Sequence, residues 1–164
     1  MKPLSLKMRA ITLLAQREHS RSELRRKLLR IARAQRDAAG AEAVEVAEIE
    51  TEVDDLLVWL LAQGYLSEER FVESRIHARA QRYGHLRIQQ ELAQHGLSLS
   101  ADSQARLKDS EFERAQAIWQ RKFGSPAEDA GGRAKQTRFL LARGFSADVV
   151  RRVLRQISEA PQTP

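Results

Sequence analysis

The sequence predicts an all-α protein, and three observations carry that reading. Apolar residues recur every three or four positions along most of the chain, the spacing of one helix face. Aromatic residues are only 5% of the 164, with 8 glycines and 4 prolines, too few for a sandwich of short strands and tight turns. Serine recurs just ahead of the apolar stripes, where its hydroxyl can accept from a first-turn N–H.

The elements follow in order. Leu6, Ala10, Leu13 and Leu14 mark a first helix. Ser20-Arg21-Ser22-Glu23 has the Ser-x-x-Glu form of a capping box and opens a second, with Leu24, Leu28, Ile31 and Ala32 as its stripe. Asp37 to Ala43 reads as a loop around Gly40. A third helix carries Val53, Leu56, Leu57, Leu60 and Leu61 and ends at Gly64. Val58 and Trp59 fall outside its stripe, which suggests a central helix buried on two sides, with an exposed contact as the alternative. Ser67 caps a fourth helix through Val72, Ile76, Ala80 and Tyr83, broken by Gly84. Leu86 to Gln94 forms a fifth and ends at His95-Gly96. Ser100 caps a sixth through Leu107, and Ser110-x-x-Glu113 is a second capping box that opens Phe112 to Phe123. An irregular insert holds Ser125-Pro126 and Gly131-Gly132. Arg133 to Arg143 and Ala147 to Ile157 complete nine helices, with residues 158–164 as a disordered tail.

A weak repeat runs through these helices. Gln16-Arg17, Gln81-Arg82 and Gln120-Arg121 lie near three helix ends, and the last two lead to Tyr83-Gly84 and Phe123-Gly124. Gly96-Leu97 and Gly144-Phe145 each precede a serine-capped helix. The chain therefore reads as three units of three helices, 1–66, 67–109 and 110–157. Each is too small for its own core, so neighbours must share one in an elongated, curved array.

Charge is segregated along the chain. There are 28 Lys and Arg against 22 Asp and Glu, a net charge of +6. Residues 1–36 hold 11 basic and 2 acidic side chains; residues 37–69 hold 10 acidic and none basic; the remainder holds 17 basic and 10 acidic. A plain polycation would suit nonspecific nucleic-acid binding, and the acidic block argues against so simple a partner. With no cysteine, a disulfide framework and a thiolate zinc site are both excluded. No apolar run is long enough for a membrane span or a leader peptide, and a cytoplasmic protein is expected.

Catalytic chemistry finds no foothold. Neither a Gly-x-x-x-x-Gly-Lys-Ser/Thr loop nor a Gly-x-Gly-x-x-Gly turn is present to cradle phosphates, and no Gly-x-Ser-x-Gly elbow presents a nucleophile. His19, His77, His85 and His95 lack metal-ligand spacing. Asp54-Asp55 and Glu68-Glu69 are adjacent on helices, so their carboxylates diverge. No catalytic residue, metal or cofactor is expected. The basic helices are more informative. Arg26, Arg30 and Arg33 lie at i, i+4, i+7, opposite the apolar stripe, with Lys27 beside them. Arg75, Arg79 and Arg82 repeat that spacing. Guanidinium forks match carboxylates and phosphates, so these stripes are candidates for a partner, while most charge runs on helices are simply solvated.

In combination these motifs resemble the RecX family of RecA regulators. The resemblance rests on Arg17-Glu18-His19-Ser20 with Glu23-Leu24 and Lys27-Leu28, on Gly64-Tyr65-Leu66-Ser67-Glu68-Glu69-Arg70-Phe71, on Gly84, Ile88, Glu91-Leu92 and Gly96, and on Arg143-Gly144-Phe145. Together they run in family order across residues 6–157. Ser67 and Glu68 stand where the family often has two aspartates, and Ala142 stands where many members have a second arginine. The resemblance implies three tandem three-helix units and a non-enzymatic protein. Such a protein binds the RecA filament in its groove and blocks its extension. It also suppresses ATP hydrolysis, strand exchange and co-protease activity; some members also bind DNA. On this reading Arg26, Lys27, Arg30 and Arg33, then Arg75, Arg79 and Arg82, are the residues expected to meet the partner. A nucleic-acid-binding module is the alternative from another class, with weak, salt-dependent DNA contact.

Overall fold

The computed structural model describes residues 4–40 and 46–159. Among them are nine helices and no strand: α1 (Leu6–Gln16), α2 (Arg21–Ala38), α3 (Val46–Ala62), α4 (Glu68–Arg79), α5 (His85–Ala93), α6 (Ala101–Asp109), α7 (Glu111–Lys122), α8 (Ala130–Ala142) and α9 (Ala147–Glu159). By compactness the chain divides into two units, Met1–Ser74 and Arg75–Pro164, with the boundary inside α4.

In the first unit, α1 to α3 close around one apolar core. Ser5 accepts from the Met8 N–H at 3.3 Å and Ser20 from the Glu23 N–H at 3.1 Å, so both N-termini have a side-chain cap. The apolar stripes then face inward: Leu6 and Ala10 from α1, Leu24, Leu28, Leu29 and Ala32 from α2, Ile49, Val53, Leu57 and Leu60 from α3. Each leucine fully removed from water contributes roughly 1.5–3 kcal/mol. Two expectations change here. The loop expected from Asp37 starts later, because α2 continues through Ala38 and ends at Gly40, whose φ is +64°. The third helix is buried on one face only, since Val58 stays 58% exposed and Trp59 half-buried. Trp59 stacks on Tyr65 at 5.6 Å, and the Lys7 ammonium sits 3.5 Å above its ring. Residues 41–45 of the acidic segment lie outside the described residues.

The second unit buries Ile88, Leu92 and Leu107 from α5 and α6. Ala115, Ile118, Trp119, Leu140, Phe145, Val149, Val150 and Val153 form the core of α7 to α9. Its backbone is tied by one close approach. The Gly84 N–H donates to the Arg143 carbonyl at 2.9 Å, and the Leu86 N–H to the Gly144 carbonyl at 3.2 Å. A Cβ on Gly84 would lie 2.2 Å from the Gly144 oxygen. Gly84 does end the α4 segment, but its φ is −75° and the requirement is for space, not for a left-handed turn. Gly144 needs both, with φ at +87° and the Arg87 backbone nitrogen 2.6 Å from any Cβ. The repeat seen in the sequence has a local geometry here. Leu97 N–H donates to the Leu92 carbonyl at 3.0 Å and Phe145 N–H to the Leu140 carbonyl at 3.3 Å, the same Schellman closure twice.

Two polar residues, one buried and one half-buried, tie segments of this unit together. Glu111, 1% exposed, accepts from the His85 backbone N–H at 3.3 Å, from His85 Nδ1 at 2.8 Å and from Ser146 Oγ at 3.3 Å. It thereby supplies the N-terminal acceptor that Gly84, without a side chain, cannot give α5. Arg114 donates to the carbonyls of Ala80, Tyr83 and Leu107 at 2.7–2.8 Å, which are left over at the ends of two helical segments. Burial depresses its pKa, with the charge of Glu111 opposing that shift.

Four further helix ends differ from expectation. The α4 helix stops at Arg79 rather than Tyr83. Ser110 does not form the expected capping box: its hydroxyl donates back to the Arg106 carbonyl at 3.0 Å, because it also ends α6. The insert expected at Gly131-Gly132 is already the first turn of α8, capped by Asp129, whose carboxylate accepts from the Gly132 N–H at 2.6 Å. The helix α9 extends through Glu159, so Ser158 and Glu159 are not part of a disordered tail; residues 160–164 lie outside the described residues.

Candidate partner-binding surface

The basic stripe of α2 lies against the acidic α3, and the two helices neutralise each other in part. Arg25 grips Asp54 with two bonds, 2.7 and 3.0 Å. That fork raises the pKa of Arg25 and lowers that of Asp54. Arg33 approaches Glu50 at 3.7 Å, and Arg36 reaches Glu52 at 2.9 Å and Glu48 at 3.9 Å. Arg25 near the start of α2 meets Asp54, and Arg33 and Arg36 near its end meet the earlier Glu48, Glu50 and Glu52, as in an antiparallel pair. Glu48, Glu50, Glu52 and Asp54 of the acidic block therefore have a counterpart on α2.

The candidate residues of this stripe separate accordingly. Arg26 and Arg30 are exposed, one turn apart, and have no ion pair with any described residue. Arg33 is shared with Glu50. Lys27 is half-buried and turned inward, its ammonium donating to His19 Nε2 at 3.0 Å and lying 3.5 Å from Glu23. His19 is 1% exposed and donates from Nδ1 to the Arg17 carbonyl at 2.9 Å. Its burial lowers its pKa, and the nearby charges of Arg17 and Lys27 add to that while the Arg17 carbonyl opposes it. Burial opposes the Glu23 charge, yet the Arg17 fork, aided by His19 and Lys27, holds the carboxyl down at about 2.

The second stripe also separates. Arg75 and Arg79 line a cavity of about 320 Å³ with Arg87, Glu91, Gln94 and His95. Within it Arg79 bonds Glu91 at 3.0 Å, and Arg87 lies 3.8 Å from the same carboxylate. Arg82 instead lines a different cleft, of about 250 Å³, with Arg121, Lys122 and Arg143 around an apolar floor of Ile118 and Phe139. None of these four cations has a carboxylate partner among the described residues. Cations from the linings of both cavities surround the ring of Tyr83. The guanidinium carbons of Arg143, Arg79, Arg87 and Arg82 lie 5.3, 5.6, 5.7 and 6.0 Å from its ring centre. Phe139 is likewise flanked by Arg143 at 5.2 Å and Lys122 at 5.9 Å.

Sequence reasoning had not assigned Arg87, Arg121, Lys122, Arg143 or Tyr83 to a site. Their signal was present, since Arg82-Tyr83 and Arg121-Lys122-Phe123 occupy matching places in the repeat. It could not be read because these residues come from different segments of the chain and converge only on packing. The one cluster that suggests catalysis also has the wrong order. In Ser146–Glu111–His85 the carboxylate lies between hydroxyl and imidazole, so the ring cannot take the serine proton. Among the described residues no three His, Asp or Glu side chains gather to hold a metal ion, and no helix is long and apolar enough to cross a membrane.

The chain is similar to known proteins over most of its length. A model of the RecX second three-helix domain matches residues 67–102, and one of the third three-helix domain matches residues 109–154. A protein of Ralstonia nicotianae named regulatory protein RecX is 49% identical over 154 residues, covering 93% of this chain and 87% of the relative. The chain belongs to the RecX family. A RecX of Leptothrix cholodnii is 48% identical over 93% of this chain and 88% of its own length, and one of Herbaspirillum seropedicae is 44% identical over 98% and 92%. All three RecX relatives are named as regulatory proteins. The matched RecX domains contain all of α4, α5, α7 and α8, the elements that bring the cations around Tyr83 and Phe139 together.

Proposed function

We propose that this RecX-family chain binds the RecA–DNA filament and inhibits RecA activities by binding alone: filament extension, ATP hydrolysis, strand exchange and co-protease function in recombination, DNA repair and the SOS response. It acts in the cytoplasm, needs no cofactor and catalyses no reaction. Family membership is the observation that carries this reading. The surface chemistry is compatible with it, because unpaired arginines raise association rate and fix register with an acidic partner more than they set affinity.

The binding residues on this reading are Arg26 and Arg30 of α2, with Arg33 and Lys27 available only by release from Glu50, Glu23 and His19, and Arg75, Arg79 and Arg82 of the second stripe. The units of the repeat are 1–66, 67–109 and 110–157. Several units on one filament would add weak contacts through effective concentration. The test is RecA ATP hydrolysis on single-stranded DNA, titrated with this protein at low salt. The expected outcome is progressive inhibition; undiminished hydrolysis at stoichiometric excess overturns the reading. A gel shift on bare DNA distinguishes the alternative, since a nucleic-acid-binding module shifts DNA without RecA and loses it steeply with salt.

A further inference from the structure

We propose that the cleft lined by Arg82, Ile118, Arg121, Lys122, Phe139 and Arg143 is a docking site for a short acidic protein segment, one that carries an apolar side chain between carboxylates. The inference goes beyond the reading above and survives its failure, because it concerns the chemistry of the ligand and not the identity of the partner.

Three observations select that ligand. First, the charge is uncompensated. Several arginines elsewhere in the chain are paired, as Arg25, Arg33, Arg36 and Arg79 show. Around this cleft Arg82, Arg121, Lys122 and Arg143 have no carboxylate among the described residues. Arg121 and Arg143 satisfy only part of their donors, on the carbonyls of Gln81 at 3.1 Å and Arg82 at 3.3 Å. Those bonds aim the two guanidinium groups without neutralising them, and the remaining N–H donors suit carboxylate oxygens.

Second, the floor is apolar. Ile118 and Phe139 lie beneath the ring of cations, and at about 250 Å³ the cleft is below the roughly 300–1,000 Å³ range of small-molecule pockets. That is room for one or two side chains. An apolar group seated there is removed from water while flanking carboxylates reach the rim, the arrangement of a buried anchor inside a polar border.

Third, the aromatic rings are already engaged. Tyr83 has four guanidinium groups around it, and Phe139 has Arg143, Lys122 and the edge of Phe123 at 5.3 Å. Single-stranded nucleic acid is held by bases stacking on open rings along a basic track. Here the rings are taken up by cations, and the charge converges on a concavity. A peptide carboxylate is therefore favoured over a nucleic acid.

The experiment is fluorescence anisotropy with the full chain and a fluorescein-labelled peptide of aspartate and glutamate flanking a Leu-Phe pair. Saturable binding is expected. It should weaken about tenfold or more in R121Q/K122Q, and again in R82Q, with helical circular dichroism unchanged. All three side chains extend from exposed residues, so folding should persist in both variants. The control R133Q/R155Q removes the same net charge outside the cleft and should change affinity by less than about twofold. Four results each overturn the proposal: no peptide binding, equal loss in the control, equal binding of a peptide with serines replacing Leu-Phe, or tighter binding of an oligothymidylate of matched charge.

Discussion

At the residue scale the joint of α1 and α2 sets an acid limit on stability. His19 is buried and neutral, accepting from Lys27 through Nε2 while Nδ1 donates to the Arg17 carbonyl. Protonation would put a second cation against Lys27, with Glu23 already bound by Arg17. The folded pKa lies below 6.5, so below that pH the unfolded chain binds more protons and folding stability declines with falling pH. Glu23 adds a second decline, beginning below 4.5 and complete near 2. Urea midpoints measured from pH 8 to pH 5 should fall in wild type and fall less in His19→Gln. A variant as steep as wild type would remove His19 from this account. The same joint turns Lys27 inward: helix position shows that a lysine can face outward, not that an imidazole one loop away holds its ammonium.

At the element scale, glycine placement decides which helices can meet. Gly84 and Gly131 look alike in the sequence, each near a helix start, yet their surroundings are opposite. The Gly84 Cβ position is filled by the Gly144 backbone at 2.2 Å, whereas a Cβ on Gly131 meets nothing nearer than the Asp129 carboxylate at 3.6 Å. Gly84→Ala should therefore destabilise the second unit by about 3 kcal/mol, since backbone cannot yield as a flexible side chain can. Gly131→Ala should stabilise it by roughly 0.5–1 kcal/mol, through a less flexible unfolded chain and better helix propensity. Thermal unfolding of the two variants checks both signs. Helix ends were misjudged for a related reason. The Ser-x-x-Glu spacing at Ser110 predicts a cap, but the preceding α6 runs directly into it, and its hydroxyl goes to that helix's orphan carbonyl.

At the scale of the whole chain, charge segregation has two consequences. Glu48, Glu50, Glu52 and Asp54 of the acidic block pair with α2, while Arg26 and Arg30 in the first unit and the ring of cations in the second have no carboxylate partner among the described residues. Reversal of Arg26 and Arg30 to glutamate leaves the Arg25–Asp54 and Arg36–Glu52 pairs intact. On the proposed function it should reduce inhibition of RecA ATP hydrolysis about tenfold or more with an unchanged melting temperature. Full inhibition by this variant would return the stripe to a solvated face. The salt bridges that hold α2 on α3 are exposed, so they contribute little to stability and mainly fix register.

The amino-acid sequence by itself determined the helices and the family. Both are local properties: apolar spacing, serine caps and glycine stops are read within a few residues, and the RecX motifs lie in order along the chain. Tertiary structure alone decided which charges are available. Arg25 and Arg26 are neighbours in the sequence, yet one is locked to Asp54, 29 residues away, and the other faces water. Likewise Arg82, Arg121 and Arg143 are scattered over three segments and share one cleft only after packing. Helix formation depends on near neighbours in sequence; charge compensation depends on neighbours in space, and for those residues the two sets do not overlap.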